Sequence, residues 1–134
     1  MDATGQMTIF DYISELDDIP VEEMVRQVSE AVGIVFERKT AEWFENGTGV
    51  WYESRKSKHE MFDLCYDRYA DTNRKFIGAG WQYKTSAGGV PCDTIQEAID
   101  FFNRAKVTIQ KEKVRIEQMR KEEHEYNQMK GGRT

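Results

Sequence analysis

His59, Cys65, Cys92 and His124 are the residues of this chain best suited to nucleophilic, acid–base or metal chemistry, and their spacing argues against all three. His59 and Cys65 fall in or beside one predicted strand, about 20 Å apart at about 3.3 Å per residue, too far for a thiolate–imidazole pair. His124 sits in a charged helical stretch. A structural zinc site draws its ligands from close-spaced pairs, and positions 59, 65, 92 and 124 contain none. Cys65 alternates with Asp63 and Asp67 on one strand face and reads as a small buried hydrophobe. Asp63, Asp67 and Asp71 suggest a magnesium or acid–base cluster, but the first two are about 13 Å apart along a strand. Asp71 stands in a turn with Thr72 and Asn73, where its side chain serves the backbone. "GAGWQ" and "SAGGVP" are rich in glycine yet lack the strand-to-helix setting and the following Lys-Ser/Thr of a phosphate loop. The expectation is a protein without catalytic residues, metal or cofactor.

The charged residues are better organised. Residues 1 to 34 carry eight acids (Asp2, Asp11, Glu15, Asp17, Asp18, Glu22, Glu23 and Glu30) against Arg26 alone, while the rest of the chain is nearly balanced; the net charge of −5 belongs to the front segment. Asp17, Asp18, Glu22 and Glu23 are therefore candidate contacts for a basic partner surface, and they repel free nucleic acid. Arg55, Lys56 and Lys58 occupy one predicted turn, and Arg74 and Lys75, with Arg68, flank the next, at the opposite end of an antiparallel meander. These bases are the candidates for a nucleic-acid contact. Trp51, which points away from Val50 and Tyr52, is the aromatic candidate for a partner site, and Trp51 with Trp81 and nearby arginines could serve a nucleotide.

These residues need elements to position them. With 134 residues, 39% hydrophobic and 32% charged, the chain suits one α+β domain with a small core. Residues 1–6 read as a disordered extension and 7–134 as the domain, with 106–130 as an overhanging helix. Val21, Met24, Val25, Val28 and Val32 recur at helical intervals after Pro20 and before Gly33, which predicts an amphipathic helix over 21–32. The period then becomes two, and strands are expected at about 34–38, 41–45, 49–55, 60–69 and 75–84, with one irregular strand as the alternative for the first two. In "WFENGTGVWY" the pair Asn46-Gly47 marks a hairpin turn. Both sheet faces carry large apolar groups, so the face that the helices leave open is where a partner is expected.

After Ser86-Ala87-Gly88-Gly89, a capping box Thr94-Ile95-Gln96-Glu97 opens a helix that runs to Gly131-Gly132, about 50 Å. Ile109, Ile116, Met119 and Tyr126 recur along it beyond the reach of the sheet, and they are the candidates for a coiled-coil-like homodimer. Without a CxxC pair or a signal-like apolar run, the chain reads as cytoplasmic and reduced. No window approaches the roughly 18 apolar residues of a membrane span.

The helix-sheet-helix order with bases in the turns resembles the layout of a double-stranded RNA-binding domain. It departs from that family at the second helix, which opens with Asp93, Glu97 and Asp100 where a lysine cluster belongs. The stretch "MTIFDYISE" from Met7 resembles the start of short accessory proteins carried by phages and conjugative elements of Firmicutes, and "TIQEAIDFF" resembles helix starts of small mobile-element domains. That resemblance implies an intracellular inhibitor of a host protein, of the anti-CRISPR or other anti-defence kind, acting by occupation and without catalysis. The expected function is blockade of an effector's nucleic-acid surface. A nucleic-acid-binding accessory protein and a nucleotide sponge are the alternatives.

Overall fold

The computed structural model describes residues 15–42 and 48–131. The expected turn at Asn46-Gly47 and the extension 1–6 lie outside them. The architecture is α+β: a helix α1 (Val21–Val32), five strands β1 (Glu37–Glu42), β2 (Thr48–Ser57), β3 (Glu60–Arg68), β4 (Lys75–Tyr83) and β5 (Ser86–Cys92), and a long helix α2 (Ile95–Gly131). The strands form one antiparallel sheet in the order β1-β2-β3-β4-β5. The chain falls into two compact units, residues 1–103 and 104–134; the first holds α1, the sheet and the first turns of α2, the second the remainder of α2.

Within the first unit, α1 buries Met24, Val25, Val28 and Val32, the residues its periodicity picks out. It ends at Gly33, whose φ of 68° is one that a β-carbon would strain, and whose N–H donates to Ser29 O over 2.9 Å. Phe62, Leu64, Ile77 and Ala79 are buried along β3 and β4, in cross-strand pairs Phe62–Trp81, Leu64–Ala79 and Tyr66–Ile77. Phe102 of α2 is fully buried and sets its ring edge-on to Phe62 at 5.9 Å and tilted against Phe36 at 5.4 Å. This is the covered face of the sheet.

Residues 15–19 are latched onto the same side. Glu15 Oε1 accepts from the Ile95 N–H at 3.0 Å, Leu16 O accepts from Lys75 Nζ at 3.1 Å, and Ile19 O accepts from the Tyr66 hydroxyl at 2.9 Å. Leu16 is fully buried beneath them. Burial pushes the Tyr66 phenol up to about 12, so it stays a donor throughout the physiological range.

Two local expectations are corrected. Ser86–Cys92 is not a lead-in to α2 but a fifth strand, joined to β4 by a two-residue turn in which Lys84 takes a positive φ of 55°. Of the two readings of 34–45, the single strand holds, as β1. At the start of α2, Thr94 Oγ1 accepts from the Glu97 N–H at 3.1 Å as a capping box requires, but Glu97 Oε2 reaches one residue further back, to the Asp93 N–H at 2.9 Å.

Candidate functional site

Strand alternation sends every second side chain to the opposite, open face, away from α1 and Phe102. There β3 presents Met61, Asp63, Cys65 and Asp67, paired across with Gln82, Gly80, Gly78 and Phe76 of β4. The next positions outward are Ala87, Gly89 and Pro91 of β5. A row of residues with little or no side chain, Gly78, Gly80, Gly89 and Ala87, therefore runs beside taller neighbours and leaves a groove of about 630 Å³. Its walls include Met61, Asp63, Cys65 and Phe76. A second hollow of about 520 Å³ lies on the other side of the Asp63–Cys65–Asp67 row, lined by Gly49 and Trp51 among others.

The glycines are needed for their lack of bulk. A β-carbon at Gly80 would collide with the Asp63 carboxylate, which lies across it, and one at Gly78 would come within 3.3 Å of Cys65 Sγ. The Asp63 side chain is thus laid down over the floor of the groove by the absence of its neighbour's.

One wall is preorganised by a ladder on β2. Trp51 Nε1 donates to Glu53 Oε1 at 3.2 Å and Arg55 Nε donates to Glu53 Oε2 at 3.0 Å, three residues at alternate positions on one face. Burial alone would raise the Glu53 carboxyl, which is only 8% exposed, but these two donors outweigh it and the group is held below the usual carboxylate range. Asp63 is opposite in character. Burial, and then the adjacent Glu53 charge, hold its carboxyl above the usual range, and no cation faces it in an ion pair among the described residues. Cys65 is pushed up by burial and by Asp67 and Asp63, so its thiol is kept protonated and is a poor nucleophile. Among the described residues, no three His, Cys, Asp or Glu side chains converge as a metal site would need.

No family model, no curated protein and no solved structure matches this chain.

The residues singled out from sequence do not form one cluster. Trp51 is on the open face, half-buried beside Asp63. Arg55 is there too, tied to Glu53 and donating to Met61 Sδ at 3.0 Å. Lys56 pairs with the buried Glu60 at 3.7 Å, and Lys58 is exposed in the β2–β3 turn. At the other end of the sheet, Arg74 stacks over the Tyr69 ring at 4.8 Å and pairs with Asp93 at 3.4 Å; Lys75 lies over the Tyr66 ring at 4.7 Å while holding Leu16. Four of the five candidate bases therefore have partners inside the chain. Glu23 is held at about 2 by Arg26 and Gln27, so its charge is matched locally; Asp17, Asp18 and Glu22 are exposed near the start of α1 and away from the groove. Trp81 pairs with Phe62 on the covered face, opposite to Trp51, so the two indoles cannot sandwich one nucleotide.

In the second unit, Met119 and Tyr126 are exposed, Ile116 is half-buried and Ile109 is buried, which removes Ile109 from the expected dimer seam. What sequence reasoning missed is Glu53 and the glycine row. The signal was present in Gly78-Ala79-Gly80 aligned against Asp63 and Cys65, but reading it required the register.

Proposed function

We propose that the protein acts by binding, without a reaction of its own, and that the open face of its sheet is the surface it uses. The observation that carries this reading is the Asp63–Cys65–Asp67 row standing between two hollows, with carboxylates that no cation among the described residues pairs with. An apolar groove floored by glycine accepts aromatic or aliphatic side chains, and the half-buried Asp63 and exposed Asp67 beside it select a partner that brings lysine or arginine. The partner class is a basic protein surface such as the nucleic-acid channel of a host factor, a CRISPR effector being one, and occupation of that surface would inhibit it. Non-enzymatic inhibition fits a site whose thiol is held protonated.

Calorimetric titration of candidate nucleic-acid-handling proteins, with the native chain and with Asp63→Asn/Asp67→Asn, tests this. Affinity should fall at least tenfold in the double variant and weaken with added salt, and amide exchange should report a footprint on β3 and β4. A footprint on α1 or on the Arg55–Lys58 turn, with affinity indifferent to the double substitution, would sink the reading.

A further inference from the structure

The two edges of the sheet differ in a way that bears on assembly. β1 carries charge on four of its six residues, Glu37, Arg38, Lys39 and Glu42, the usual means of keeping an edge from pairing with another chain. β5 has none in seven residues, Ser86 to Cys92, and most of it is exposed, Val90 by 41%. Among the described residues no strand lies beyond it.

The direction of its main-chain groups follows from two independent facts. The two-residue turn between Tyr83 and Ser86 makes that pair hydrogen-bonded, so Gly88, Val90 and Cys92 bond to β4 in alternation. Pro91, which has no N–H, falls in the other set, as a proline in an edge strand must. Ala87, Gly89 and Pro91 therefore point their backbone groups outward.

We propose that β5 is a homodimer edge on which two copies of this chain pair antiparallel, Gly89 opposite Gly89. In that register the Gly89 residues exchange two hydrogen bonds, and each Ala87 N–H donates to the Pro91 carbonyl of the other copy. The missing proline donor costs one bond on each side. Val90 of one copy stands beside Gly88 of the other, where the Trp81 indole lies so close that a β-carbon on Gly88 would come within 2.5 Å of Nε1. The charges at the strand ends fix the choice of occupant. Lys84 precedes β5 and Asp93 follows it, so a two-fold antiparallel pairing brings each Lys84 beside the Asp93 side chain of the other copy, which is 44% exposed; a parallel pairing would set lysine against lysine. A strand of seven residues is about 23 Å long. So small an edge belongs to the weak class of interface, with dissociation in the micromolar range or above. The proposal is independent of the reading of the open face.

Sedimentation of the full chain from about 1 to 500 µM should show a shift from 15.7 kDa toward twice that mass. Amide exchange at the high concentration should protect Ala87 and Gly89, which exchange freely when dilute, while Gly88 and Val90 stay protected throughout. Gly89→Lys, which sets two positive charges on the two-fold axis, should raise the dissociation constant at least tenfold. Lys84→Glu, at a turn residue that leaves β5 intact, should raise it severalfold, and circular dichroism checks that both variants fold. A mass that stays at 15.7 kDa at the highest concentration, or a dimer that persists unchanged in both variants, overturns the proposal.

Discussion

The same strands build both faces of the sheet, and they do so with different materials. On the covered face, Phe62, Leu64, Ile77 and Ala79 meet α1 and the first turns of α2, and Phe102 packs among them without exposed surface. On the open face, one residue along, Met61, Asp63, Cys65, Gly78 and Gly80 leave hollows and half-buried acids. The covered face is filled to lower the free energy of the chain itself. The open face gives up that stabilisation at Gly78 and Gly80, since glycine inside a strand has no side chain to pack and loses more entropy on folding. That sacrifice is what the proposed binding role of the open face accounts for.

The largest test of this contrast is truncation. Leu64→Ala or Phe102→Ala should cost about 3 to 5 kcal/mol in urea unfolding, because each leaves a cavity among buried neighbours. Met61→Ala, one position from Phe62 on the other face, should cost less than about 1 kcal/mol. Equal losses would show that the open face is packed as a core. Filling the groove comes next: Gly80→Val displaces only the end of the Asp63 side chain and suits a strand, so the fold should survive while partner affinity drops by at least tenfold.

A smaller effect separates the two faces by pH. The folded chain holds the Asp63 proton more tightly than the unfolded chain, so stability is lost as pH rises through the interval above the ordinary carboxylate value. Asp63→Asn should therefore raise the melting temperature at pH 7 by less than about 4 °C, with the gain vanishing as pH falls below the carboxylate range. A loss of stability at pH 7 would mean that the carboxylate has an attractive partner. Smallest of all, Cys65 should alkylate a few times more slowly than a peptide thiol at pH 8 and recover part of that rate in Asp63→Asn/Asp67→Asn.

The covered face was legible in the sequence because each of its elements repeats a period: Val21 to Val32 at helical spacing, Phe62-Leu64-Tyr66 at strand spacing, and Thr94 with Glu97 as a cap. The sheet's extent was less so. "SAGGVPC" holds one valine and no aromatic residue, and its strand forms because β4 offers a ladder, not because its own residues favour extension. The candidate site was the least legible part. Trp51 and Arg55 could be picked out as conspicuous residues, but the groove consists of missing side chains, and their effect appears only when Gly80 is set opposite Asp63 and Gly78 opposite Cys65. Arg74 and Lys75 looked available for the converse reason, since their partners Asp93 and Leu16 are brought to them by long-range pairing, while the Lys56 partner Glu60 lies just across the β2–β3 turn.

The latch of residues 15–19 sets a clock on the folding of a nascent chain. Glu15 receives the Ile95 N–H across 80 residues of sequence. At roughly 5 to 20 residues per second, a ribosome needs about 4 to 16 s to deliver the second partner after the first. Throughout that interval Leu16 has no finished pocket, so the latch of residues 15–19 closes only after the start of α2 has been made.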